Sequence, residues 1–161
     1  MVMIIHMDGS IELHSDNKYL PKETLDTIIA NKWSYVDAPA GSGKTTLIAE
    51  MRHHFNNVFY VCHLRSIAEE QSGKLGDYKN IHIVKYETAT EYLCQTWQLE
   101  KSILVFDEIN ELTYASEYRE SVVNALLIIQ HFGKLGLHVC LMTGTPGGEY
   151  DAIRKWLLPD M

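Results

Sequence analysis

The chain has 161 residues, 46% hydrophobic and 22% charged, with only 4 prolines. That is enough for one domain around a single core and excludes a disordered chain, and no run reaches the ~18 apolar residues of a membrane helix. A formal net charge of −7 excludes broad electrostatic binding of nucleic acid but leaves room for a local basic track.

In chain order, the opening MVMIIHMDGS has no basic flank and a five-residue apolar stretch, so a secretory signal is not expected. MIIHM and SIELH flank Asp8-Gly9, a two-residue hairpin signal. After Pro21, Leu25, Ile28 and Ile29 fall on one side of a short amphipathic helix. From residue 34 onward, strand-like apolar runs alternate with helical patterns. Strands are expected at 34–37, 58–62, 81–84, 102–106 and 137–142, and helices at about 44–55, 65–75, 87–98, 117–132 and 149–158. Leu47, Ile48, Met51 and Phe55 set the face of the first core helix, and Val122, Leu126, Ile129 and Phe132 that of the fourth. Strands buried on both faces and alternating with helices imply an α/β fold, a mostly parallel sheet with helices on both sides. The expected organisation is a hairpin and helix over 1–33, packed on a core domain over 34–161. Cys62, Cys94 and Cys140 show no CxxC spacing, which points to reduced core thiols and a cytoplasmic setting.

Between the first core strand and helix stands APAGSGKTT, residues 38–46, a phosphate-binding P-loop with Ala38 where the first glycine usually sits. Gly41 and Gly43 let backbone N–H groups turn inward around a phosphate with no Cβ in the way. The helix starting near Lys44 adds its positive dipole end. Pro39, Ala40, Gly41, Ser42, Gly43, Lys44, Thr45 and Thr46 are therefore the candidate nucleotide-binding residues. Lys44 reaches the β- and γ-phosphates of ATP, and the Thr45 hydroxyl is a Mg²⁺ ligand.

ILVF, residues 103–106, then ends in Asp107 and Glu108, 63 residues after Lys44. An ATPase of this type needs a strand-end acid to hold Mg²⁺, in part through its water shell, and a next acid to polarise the attacking water. Taken alone, acids at a strand end are often solvated caps; the upstream P-loop favours the chemical reading. Glu111 reads as a solvated acid. LMTGTP, residues 141–146, is an apolar strand ending in small hydroxyl residues, so Thr143 and Thr145 would face the γ-phosphate side of a parallel sheet. By itself it also suits a plain turn.

Together APAGSGKTT, VFDEIN and LMTGTP resemble motifs I, II and III of superfamily 2 (DEAD/DEAH-like) helicases and translocases, over about residues 34–147. YVCHLRSIAEEQ, residues 60–71, is similar to their motif Ia, and the overall pattern is similar to viral or plasmid replication helicases of the origin-binding kind. The resemblance implies a three-layer RecA-like motor domain in which Lys44, Asp107 and Glu108 are catalytic and Thr45 and Asp107 hold the metal. It implies that Thr143, Gly144 and Thr145 couple nucleotide state to nucleic-acid grip, with Arg65 and Ser66 as contacts to DNA or RNA phosphates. For those two a capped, solvated helix start is an equal reading. The resemblance also implies a further nucleic-acid-contacting segment near Thr88 and Thr90.

The sequence also departs from that pattern. No glutamine precedes Gln71, so the family's adenine-reading glutamine is missing. None of Arg52, Arg65, Arg119 and Arg154 lies in a QxxGRxxR-like context, and the second RecA-like domain that supplies an arginine finger is absent from this chain. The resemblance implies that it comes from a longer protein or a partner. Asn110 stands where the family usually carries His or Asp; it can hydrogen-bond but cannot titrate. His53-His54 and Cys62-His63 lack zinc spacing. Trp33, Trp97 and Trp156 are spread singly, as packing residues are, although the helix carrying Tyr150 and Trp156 also suits a surface that meets a second domain. Beside the helicase reading stand two others: a packaging or remodelling ATPase without helicase action, and a nucleotide-gated scaffold.

Overall fold

The computed structural model describes residues 2–6, 12–15, 23–37, 43–62, 75–85, 100–107 and 119–143. Its elements run β1 (Val2–His6), β2 (Glu12–Ser15), α1 (Thr24–Ala30), β3 (Trp33–Asp37), α2 (Lys44–Met51), β4 (Asn57–Cys62), β5 (Ile81–Lys85), β6 (Ser102–Phe106), α3 (Arg119–Lys134) and β7 (His138–Thr143). The helices expected at 65–75, 87–98 and 149–158 lie largely or wholly outside the described residues.

All seven strands form one sheet in the order β2-β1-β3-β7-β6-β4-β5. The neighbouring pairs β3–β7, β7–β6, β6–β4 and β4–β5 are parallel, giving the expected parallel core. Every residue of β6 is buried, and so are the last five of β4. Such continuous apolar strands are what a parallel sheet covered on both faces requires. The N-terminal hairpin joins this sheet by edge pairing: β1 runs antiparallel to β3, with Met3 opposite Asp37 and His6 opposite Ser34. It thereby satisfies the outer backbone groups of β3. In the hairpin Val2 pairs with Ser15 and Ile5 with Glu12, a register centred between positions 8 and 9. The Asp8-Gly9 turn itself lies outside the described residues.

Alternation along the strands divides the core into two faces. Val36, Val58, Tyr60, Ile103, Val105, Cys140 and Met142 pack with Ile28 of α1, Leu47, Ile48 and Met51 of α2, and Phe55. The opposite face meets α3, where the Phe132 ring sits edge-on to Phe59 at 5.9 Å and Ile129 is fully buried. The result is a three-layer α/β/α domain. Each buried Val, Leu, Ile or Phe adds ~1.5–3 kcal/mol relative to leaving it exposed.

α2 ends at Met51, short of the expected residue 55. Its hydrogen bonds switch there to the tighter i−3 pattern, from Arg52, His53 and His54 N–H to the Ala49, Glu50 and Met51 carbonyls. Phe55 is buried on the expected face nonetheless.

Candidate nucleotide site

The candidate residues that the structure describes, Lys44, Thr45, Thr46, Asp107 and Thr143, lie at the carboxyl edge of the sheet. β3 ends at Asp37 and α2 begins at Lys44, capped by Gly43 at φ +97°. That left-handed conformation is freely open to glycine, and a Cβ there would meet no other atom within 4 Å, so the constraint is backbone conformation and not space. The cap turns the chain into α2 with Lys44, Thr45 and Thr46 in its first turn. Pro39, Ala40, Gly41 and Ser42 lie outside the described residues.

Asp107 follows the last residue of β6. Its N–H donates to the Val61 carbonyl at 2.9 Å, which fixes its backbone to β4 beyond the end of the strand. Its carboxylate Oδ2 accepts a hydrogen bond from Tyr60 Oη, and Oδ1 faces Lys44 Nζ at 3.9 Å. Both charged side chains are largely buried, 15% exposed for Lys44 and 11% for Asp107, where opposite charges are screened less than on the surface. At 3.9 Å the pair exceeds a direct hydrogen bond: the ammonium and carboxylate face each other across the mouth of the site. The structure thus brings Lys44 and Asp107 together, two residues 63 positions apart in sequence.

β7 lies between β3 and β6 in the sheet, and Thr143 is its last residue, opposite Asp37. The TGTP run therefore starts between the P-loop strand and the strand of Asp107. Glu108, Asn110, Glu111, Gly144 and Thr145 lie outside the described residues, as do Arg65, Ser66, Thr88 and Thr90.

Tyr60 escaped the sequence reading. An aromatic in an apolar run reads as a strand former, and nothing in the sequence says that β4 lies next to β6. The structural register does: Tyr60 pairs with Val105, which places it on the face of Asp107, one pleat back.

Burial pushes the Cys140 thiol up to about 12, and the nearby Asp107 charge works in the same direction. Cys140 therefore stays protonated and acts as core, not as a nucleophile. His53 and His54 are exposed, and among the described residues no group of three or more His, Cys, Asp or Glu side chains is arranged to hold a metal. A Mg²⁺ ion accompanying nucleotide needs less from the protein, one or two hard oxygen ligands beside the phosphates. The Thr45 hydroxyl, next to Lys44 at the helix start, and the Asp107 carboxylate are donors of that kind, so the residues fit the ion. No described helix is long and apolar enough to cross a membrane.

A three-layer α/β/α domain with a parallel core sheet, and a glycine-capped helix start facing a strand-end aspartate, defines a P-loop ATPase domain. The family model for AAA, the ATPase family associated with various cellular activities, matches residues 35–155, about three quarters of the chain. The chain belongs to that family. A comparison with curated proteins found no match.

Proposed function

We propose that this domain is the ATP-hydrolysing motor half of a nucleic-acid helicase or translocase. Within that reading Lys44 grips the β- and γ-phosphates, and Thr45 and Asp107 hold Mg²⁺, partly through water. An ion held there would supply charge neutralisation for the transferring phosphoryl group. Glu108 accepts a proton from the water that attacks the γ-phosphorus as the bond to ADP breaks. The observation that carries the ATPase part is the approach of Lys44 to Asp107 at 3.9 Å.

Support for the nucleic-acid part comes from the order of motifs and from the sheet. β7 delivers the start of the TGTP run between the P-loop strand and the strand of Asp107. Arg65 and Ser66, after β4, are the proposed contacts to DNA or RNA, and Thr143 and Thr145 the coupling residues. A second RecA-like domain, in the same protein or in trans, is the proposed source of the arginine finger. Such a finger is worth ~10³–10⁵ in rate, so this domain alone hydrolyses ATP slowly.

The test is ATP turnover by the full-length protein with and without single- and double-stranded DNA and RNA. Stimulation at low salt that fades as salt rises is expected. Polynucleotide that neither binds nor stimulates would overturn the helicase reading. The family match favours a second reading, a remodelling or packaging ATPase, because that family is defined by its ATPase and not by nucleic acid. Stimulation by a protein partner alone would support it.

A further inference from the structure

We propose that Tyr60 is a positioning residue for the Asp107 carboxylate, acting through the hydrogen bond from its Oη to Oδ2. The inference rests on the reading of Asp107 as the metal-holding acid. A carboxylate at a strand end can rotate about two torsions, and only some orientations present an oxygen to the phosphate side. Here the backbone is pinned by the bond from Asp107 N–H to Val61, and one oxygen is occupied by Tyr60. The other is left pointing at Lys44, the side from which a phosphate-bound ion arrives.

Tyr60 is suited to this by its own constraints. It is 1% exposed, it belongs to the same buried cluster as Val58, Ile103 and Val105, and a phenol buried so deeply needs an acceptor. Its strand pairs with β6 in a register that fixes the diagonal distance between the two residues. The hydroxyl is thus delivered by the sheet itself, and a rigid donor behind a metal-holding carboxylate is how outer partners orient such ligands.

The experiment uses Tyr60→Phe, which keeps the ring and removes the donor. Affinity for a fluorescent ATP analogue is measured in Mg²⁺ and in EDTA, Mn²⁺ binding to the nucleotide-loaded protein is followed by electron paramagnetic resonance, and Asp107→Asn is run in parallel. In EDTA the Tyr60→Phe affinity should match the parent. The enhancement by Mg²⁺ and the Mn²⁺ affinity should fall about tenfold, the low end for losing such a partner. Parent-like metal dependence in Tyr60→Phe, with a clear loss in Asp107→Asn, would overturn the positioning role while leaving Asp107 at the metal. No change in Asp107→Asn would instead overturn the metal assignment on which the inference rests. If the phenylalanine variant cannot be recovered folded, Tyr60→Met gives the same readout, since it fills much of the volume without a donor.

Discussion

Lys44 owes its position to one residue before it. Gly43, at φ +97°, caps α2 in a left-handed conformation, and Lys44 in the first turn faces Asp107. Under the proposed roles, Lys44→Ala removes the charge that meets the phosphates and leaves Asp107 without its 3.9 Å partner. A lost charge-assisted hydrogen bond costs ~1.5–3 kcal/mol, so nucleotide affinity should fall at least about tenfold. Calorimetric titration with ATP reads this directly, and unchanged affinity would refute the loop assignment. Glu108→Gln is expected to separate binding from chemistry. An amide of the same shape keeps the strand end but cannot take a proton, so ATP should bind normally while turnover drops by ~10²–10⁴. Normal hydrolysis by that variant would mean that Glu108 is not the base.

Among the elements, α3 and β3 show a constraint that the sequence hides. Gly133 lies in α3 directly over the Trp33 ring, and a Cβ there would stand 2.1 Å from Trp33 Cζ2 and 2.9 Å from Cε2. At an ordinary helical site Gly→Ala stabilises by up to ~1 kcal/mol. Here the indole is buried and has little room to retreat, so overpacking reverses the sign and Gly133→Ala should destabilise by ~1–3 kcal/mol. Thermal unfolding should show it as a lower midpoint, with much of the loss recovered by adding Trp33→Phe. A midpoint at or above the parent's would show that α3 shifts without cost. This close approach was not legible in the sequence, where Gly133 stands just past the expected helix end at 132 and not inside the helix that runs to Lys134. The five core strands were legible, because each is a short β-branched or aromatic run, and their bounds moved by at most one residue. Periodicity overran α2 because it registers that Phe55 is buried, not that the hydrogen bonds tighten after Met51. For the site the same division holds. Lys44 and Asp107 stood out by motif, whereas Tyr60 becomes visible only once β4 is known to neighbour β6, although β5 intervenes in the chain. The pairing of β1 with β3 was hidden for the same reason: sheet order is a long-range property.

At the scale of the whole molecule, two half-buried histidines among the described residues, one on each face of the sheet, tie elements together. On the α3 face His82 stacks on Phe59 at 5.1 Å and its Nε2 donates to Asn57 Oδ1 at 3.0 Å. On the other face His138 Nε2 donates to the Ile29 carbonyl at 2.8 Å, and its ring meets Phe55 edge-on at 5.0 Å. Burial lowers the pKa of both below the ordinary 6.5; for His138 the bond to Ile29 opposes this and the charge of Lys32 adds to it. A lowered folded pKa means that the unfolded chain binds more protons in the window beneath 6.5, so stability rises with pH through that window. The contribution is fully present above about pH 6.5 and is lost as pH falls below it toward the folded values. Both rings retain contact with solvent, which keeps the slope shallow. Urea unfolding at pH 7.5 and pH 5.5, above the carboxylate range, should show a lower midpoint at the acid end with the same dependence on denaturant. Replacing both residues, as His82→Gln with His138→Gln, should flatten that difference even though the pair of substitutions lowers stability at both pH values. If the double variant keeps the parent's full difference between pH 7.5 and 5.5, the acid sensitivity comes from other groups and these two histidines are structural alone.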